Sequence, residues 1–66
     1  MIITINGENM TLPAPISVAG LLDQLELEPK KIAVERNLEI VPKSLYGETA
    51  LGDGDRIEIV QFVGGG

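Results

Sequence analysis

The sequence predicts an α+β fold, in which a mixed sheet of four to five strands packs on one main helix. Three observations lead to this prediction: a hairpin signal at Asn6-Gly7, one amphipathic helical stripe over residues 18–25, and several short strand patterns after it. With 66 residues, the chain makes one small domain. We place this domain at residues 1–63 and a flexible glycine tail at residues 64–66.

The opening residues predict a β-hairpin. Residues 2–6 are rich in Ile and Thr, and Asn6-Gly7 tolerates the positive φ angles that a type I′ turn requires. Met10 and Leu12 then alternate with polar residues on a second strand. This strand ends at Pro13, because proline cannot donate to a sheet ladder.

A single helix follows, with Ser17 as its N-cap. Gly20 costs about 1 kcal/mol relative to alanine, so it either lets the helix approach the sheet closely or is a tolerated defect. Pro29 ends the helical pattern. The apolar residues stand at i, i+3, i+4 and i+7, which places them on one face: Val18, Leu21, Leu22 and Leu25.

Short strands occupy the second half of the chain. Residues 32–36 begin with a continuous apolar run, which is typical of a central strand buried on both faces. After a turn at Asn37 we expect a short strand over residues 38–41 and a helical turn over residues 44–47. Leu51 is predicted to enter the core.

A polar turn at residues 52–55 leads into the last strand, residues 56–63. If the first and last strands pair in parallel, the hairpin lies at one edge and the helix covers one face. This is the β-grasp, or ubiquitin-like, arrangement. A ferredoxin-like fold or a generic α+β roll fits the same element order.

The composition excludes several classes of function. The net charge is −5, so most of the surface repels nucleic acid and suits a basic face on a protein partner. The chain has neither cysteine nor histidine, so thiolate zinc sites and the usual general base are missing. Its ten Asp and Glu residues could bind a hard cation, but they form no calcium-loop motif. We therefore expect no bound cofactor, no metal site and no self-contained enzyme. No apolar run is long enough to span a membrane, and we expect a soluble, cytoplasmic protein.

The last strand predicts a docking patch. Its alternation places Ile57 and Ile59 toward the helix, and Val60 and Phe62 on the opposite face. Phe62 is the only phenylalanine and stands close to the terminal glycines. We therefore predict an exposed apolar patch that suits a partner protein. The alternative is a bulge that turns Val60 or Phe62 into the core.

The chain ends in three glycines, Gly64, Gly65 and Gly66. This pattern predicts a thin stalk that presents a terminal carboxylate, and the alternative is a frayed chain end without a function. Glycine lacks a Cβ and enters narrow clefts, and three extended residues reach about 10 Å. A carboxylate is ionised at neutral pH and inert as an acyl donor, so it needs activation, most simply by attack on the α-phosphate of ATP. An activating partner would hold the nucleotide, and this chain would be substrate and carrier.

Five motifs follow one another along the chain: Asn6-Gly7, Ala33-Val34-Glu35-Arg36-Asn37, Ile40-Val41-Pro42-Lys43, Asp53-Gly54-Asp55-Arg56-Ile57 and Val63-Gly64-Gly65-Gly66. Each motif is short, but their order and spacing are fairly specific. Together they resemble the ThiS family, the sulfur carrier proteins of thiamine biosynthesis, over essentially the whole chain.

The resemblance implies a reaction cycle on the tail. An adenylating enzyme related to ubiquitin activators (ThiF type) would use ATP to convert the carboxylate to an acyl-adenylate. A persulfide from a sulfur donor protein would displace AMP to leave a thiocarboxylate, and a thiazole synthase (ThiG type) would take the sulfur. The resemblance assigns adenylation and the thiocarboxylate to Gly66, the tail to Gly64 and Gly65, and partner docking to Val60, Phe62 and Val63.

Other functions stay open on the same residues. A carrier of this kind can also supply sulfur to molybdopterin, to tRNA or to an amino-acid pathway. A ubiquitin-like protein modifier would join the Gly66 carboxylate to lysine through an isopeptide bond. A regulatory β-grasp module would need no chemistry at the tail.

Overall fold

The computed structural model describes residues 1–62 and contains a five-stranded mixed sheet with one α-helix. The strand order is β2-β1-β5-β3-β4, in which β1 pairs in parallel with β5 and the other neighbours pair antiparallel. This is the β-grasp arrangement, so the predicted fold is confirmed. The elements are, in chain order, β1 (Ile2–Ile5), β2 (Glu8–Thr11), α1 (Val18–Gln24), a 3₁₀ turn (Pro29–Lys31), β3 (Ile32–Arg36), β4 (Glu39–Val41), a second 3₁₀ turn (Lys43–Leu45) and β5 (Arg56–Gln61).

Local chemistry accounts for the hairpin and for the start of the helix. Asn6 and Gly7 have φ angles of 49° and 85°, as a type I′ turn requires. The Ser17 hydroxyl accepts a hydrogen bond from the Gly20 amide at 3.1 Å, which confirms Ser17 as the N-cap of α1. A Cβ on Gly20 would come within 2.9 Å of Ile16 Cγ1. The close neighbour of Gly20 is therefore the Ile16 side chain and not the sheet.

The core lies between α1 and one face of the sheet. The helix contributes Val18, Leu21 and Leu22, which are fully buried, whereas Leu25 is the C-cap after the helix and is half-buried. Leu51 is buried as predicted, and Tyr46 joins the core from the segment after β4. Leu12, directly after β2, is also buried. The strands complete the buried set with Ile3, Ile32, Val34, Val41 and Ile57.

Three predictions about the strands need correction. Leu38 has a φ angle of 71° and belongs to the turn with Asn37, so β4 begins only at Glu39. β3 lies between β5 and β4, and Ala33 is only half-buried, because α1 covers one face of the described sheet. β3 is thus an interior strand as predicted, but it is not buried on both faces. β5 is the middle strand of the sheet, and it ends at Gln61.

None of the helices in residues 1–62 has the length and apolar character that a membrane span requires.

Candidate functional site at the end of the last strand

Strand β5 is paired on both sides, and its pairing with β3 continues to its last residue. This antiparallel register runs without interruption from Ile57 opposite Arg36 to Gln61 opposite Ile32. One residue further, the Phe62 amide donates to the Lys31 carbonyl at 2.9 Å. The sheet therefore still holds the backbone at Phe62, the last described residue, and we call this end of β5 the exit point.

The side chains that β5 directs away from α1 form an exposed apolar patch next to this exit. Val60 is 59% exposed and Phe62 is 52% exposed, whereas Ile57 on the helix side is fully buried. The continuous register with β3 contains no bulge, so the alternative in which Val60 or Phe62 turns into the core is wrong. The predicted exposure is confirmed, and a docking role remains a prediction.

The Lys43 side chain contacts both Phe62 and the first 3₁₀ turn. Its ammonium lies 5.4 Å from the centre of the Phe62 ring, within the range of a cation–π interaction. The same ammonium donates to the Lys30 carbonyl at 3.3 Å. In the sequence Lys43 stands among scattered basic residues, and only the folded chain places its charge beside the candidate docking residue.

The Asn6 side chain holds β5 from the other side. Its Oδ1 accepts a hydrogen bond from the Ile59 amide at 2.7 Å, and its Nδ2 donates to the Ile59 carbonyl at 3.1 Å. The side-chain amide thus continues the β1–β5 ladder beyond the end of β1, directly before Val60. The turn motif explained the backbone of Asn6, but this second role was missed because Ile59 is 53 residues away.

The start of β5 is fixed by a buried carboxylate at Asp55, which is 8% exposed. One oxygen accepts from the Gly52 amide at 2.7 Å and from Arg36 Nε at 2.8 Å, and the other accepts from Asn37 Nδ2 at 3.1 Å. Burial by itself raises the pKa of the Asp55 carboxyl, but these hydrogen bonds outweigh burial and hold the pKa below its ordinary value. Asn37 also accepts from the Arg56 amide at 2.9 Å, so the network holds the first residue of β5.

The predicted tail residues Gly64, Gly65 and Gly66, together with the docking candidate Val63, lie outside the described residues. Within residues 1–62, no group of three or more Asp or Glu side chains is arranged to hold a metal ion. The site that the described residues define is therefore the end of β5 with its exposed apolar face.

Comparison with known proteins agrees with the fold and the motifs. The model of the ThiS family matches residues 3–66. A sulfur carrier protein ThiS from Bacillus subtilis is 52% identical over 50 residues, which cover 76% of each chain. The crystal structure of a thiamine biosynthesis protein (ThiS) from Geobacter metallireducens superposes with a TM-score of 0.85, at 32% identity and with full coverage of both chains.

The chain is also similar to a part of a larger protein. A thiazole synthase from Paramagnetospirillum magneticum is 53% identical over 66 residues, which are all of this chain. The chain spans 20% of the length of that thiazole synthase, and 20% of a second one from Magnetococcus marinus.

Proposed function

The chain belongs to the ThiS family of sulfur carriers of thiamine biosynthesis, and we propose that it delivers sulfur to a thiazole synthase as a thiocarboxylate on Gly66. One structural observation supports this proposal most directly. The fixed exit of β5 at Phe62 lies beside the exposed side chains of Val60 and Phe62. A partner that binds this patch would lie next to the start of the segment that carries Gly66.

The first step is activation of the Gly66 carboxylate. A carboxylate oxygen attacks the α-phosphorus of ATP, pyrophosphate leaves, and an acyl-adenylate forms. The chain has no histidine or cysteine to assist this step, so an adenylating enzyme supplies the nucleotide site and the catalytic groups. We propose an enzyme related to ubiquitin activators (ThiF type), with ATP as its substrate and no cofactor bound to this chain.

Sulfur then replaces the activated oxygen. The persulfide of a sulfur donor protein attacks the acyl carbon, and AMP leaves with its oxygen. The product is an acyl disulfide, in which the new sulfur joins the acyl carbon to the cysteine sulfur of the donor. A thiol of the donor or the enzyme then attacks that cysteine sulfur, which releases the thiocarboxylate and leaves a disulfide behind. The carrier has no cysteine of its own, so no thiol within the chain competes for the acyl group.

Delivery requires a second docking event on the same surface. The similarity to a segment of two thiazole synthases supports a thiazole synthase (ThiG type) as the acceptor. Val60, Phe62 and Val63 are the proposed docking residues, and Gly64 and Gly65 form the proposed stalk. Glycine suits the stalk because a chain without a Cβ fits a narrow channel.

The proposal is tested by the intact mass of untagged protein after incubation with ATP, the adenylating enzyme and a persulfide donor. We expect a mass gain equal to the replacement of one oxygen by sulfur, and fragmentation should place it on Gly66. The matched control carries one additional alanine after Gly66 and should fold normally but gain no sulfur at Gly66.

An unchanged mass with an enzyme and donor that are active on another carrier would refute sulfur transfer. Covalent conjugates between Gly66 and lysine residues would instead identify a protein modifier. Equal sulfur transfer to the extended control would refute the role of the Gly66 carboxylate.

A further inference from the structure

The face of the sheet opposite α1 carries two carboxylates side by side. Glu35 of β3 lies directly opposite Glu58 of β5 in the antiparallel register. Both residues alternate with buried core residues, so they share the face that carries Val60. The Glu58 side chain is 37% exposed, and its carboxylate forms an ion pair with Arg56 Nε at 3.5 Å. Within residues 1–62, Glu35 makes no ion pair.

Exposed apolar side chains flank this pair of carboxylates on the same face. Ile40 of β4 lies opposite Glu35 and is 74% exposed. Val60 follows Glu58 on the same side of β5 and is 59% exposed. Each glutamate therefore has an exposed apolar neighbour on this face, and the exposed Arg56 lies on the other side of Glu58.

We expect this arrangement to destabilise the isolated chain. Like charges directly opposite each other on neighbouring strands repel, and the net charge of −5 adds to the repulsion. A cation from a partner would remove the repulsion. The attraction would also be stronger than in water, because the flanking apolar surfaces exclude solvent when a partner covers them.

We propose that this face binds an arginine of a partner protein between Glu35 and Glu58, with apolar side chains of the same partner on Ile40 and Val60. Arginine fits best because its planar guanidinium presents several donors that match carboxylate oxygens. A second copy of this chain is a poor occupant, since it would bring the same negative charge. The inference rests on the proposed function and takes the thiazole synthase as the partner, because that partner has support from the relatives.

The test compares Glu35→Gln, Glu58→Gln and the control Glu8→Gln, each of which changes the net charge equally. Glu8 lies opposite Ile5, which packs against the core, so Glu8 is on the helix side of the sheet. Binding to purified thiazole synthase is measured by calorimetry at low and high salt, and Tm is measured on each free protein. We expect Glu35→Gln and Glu58→Gln to raise Tm by about 1–8 °C. The same two variants should weaken binding by about tenfold, the loss expected for one charge-assisted hydrogen bond.

The salt dependence of binding gives a second readout. Wild-type affinity should fall as salt rises, and the double variant Glu35→Gln/Glu58→Gln should lose most of this dependence. Glu35→Lys should raise Tm, because lysine pairs with Glu58, and should weaken binding more than Glu35→Gln does.

Equal weakening by Glu8→Gln would show a general charge effect and overturn the inference. Unchanged affinity in the Glu35 and Glu58 variants would also overturn it, while thiocarboxylate formation on Gly66 would leave the proposed function intact. Absence of binding by the wild-type protein would overturn the inference together with the thiazole synthase as the partner.

Discussion

Replacing Asp55 by asparagine should remove a large part of the stability of this small domain at neutral pH. In the native network one oxygen of Asp55 accepts from both Gly52 and Arg36, and the other accepts from Asn37. An asparagine side chain must direct its NH₂ group at one of these donors in either orientation. The variant therefore loses hydrogen bonds as well as the negative charge.

The magnitude follows from the contacts. Hydrogen bonds to a charged group contribute about 1.5–3 kcal/mol each. The Arg36 side chain is 36% exposed, so solvent screens its ion pair with Asp55 and the lower part of the range applies. We expect a loss of about 2–3 kcal/mol in the free energy of unfolding, against a total of about 3–10 kcal/mol for a chain of this length.

The assay is urea denaturation followed by circular dichroism and by the fluorescence of Tyr46, the only tyrosine, in a chain without tryptophan. Because the pKa of Asp55 is lowered in the folded state, its contribution is present above the unfolded pKa of about 3.9. That contribution is lost as pH falls through the folded pKa. The difference in the free energy of unfolding between wild type and Asp55→Asn should therefore be largest at pH 7 and should shrink in acid.

The matched control is Asp23→Asn, which removes the same charge from an exposed position on α1. It should leave the free energy of unfolding nearly unchanged. Equal stability of Asp55→Asn and wild type at pH 7 would refute the reasoning. A difference in the free energy of unfolding that stays constant as pH falls would show that packing, and not the ionised carboxylate, accounts for the loss.

Two further predictions separate docking from stability. Phe62→Asp should weaken binding to the adenylating enzyme by at least about tenfold, because a carboxylate replaces the half-exposed aromatic ring, with little change in Tm. Ile57→Ala is the contrasting variant and should lose about 2–5 kcal/mol of folding stability, so a collapse of Tm in Phe62→Asp would place Phe62 in the core instead. Asn6→Gly should keep the turn but lose the two hydrogen bonds to Ile59, at a cost of about 1 kcal/mol. Faster hydrogen exchange at the Ile59 amide, with the Leu22 amide unchanged, would support this role, and unchanged exchange at Ile59 would contradict it.

The features predicted correctly from the sequence are those with local causes. The turn at Asn6-Gly7 follows from the φ angles that these residues tolerate, and the cap at Ser17 follows from one hydroxyl and one amide. The exposure of Val60 and Phe62 follows from the alternation of a strand.

Predictions were wrong where local propensity was a poor guide. Leu38 looked like the start of a strand because it is apolar and stands two residues before Ile40-Val41, yet it adopts a positive φ angle in the turn. The apolar start of β3 indicated a strand buried on both faces, although a single helix packs on the described sheet. An apolar run does not by itself identify the central strand, and β5, which carries charges on one face, takes that position.

The sequence by itself determined the element order, the core-facing stripe of α1, the outward direction of the exposed apolar patch and, through its motifs, the family. Only the tertiary structure decided how the end of β5 is held. Asn6 reaches Ile59 across 53 residues, and Asp55 binds Arg36 across 19 residues. The opposition of Glu35 and Glu58 also depends on the register between β3 and β5. These contacts join strands that are distant in the chain, and a distance in space exists only after the whole sheet has assembled.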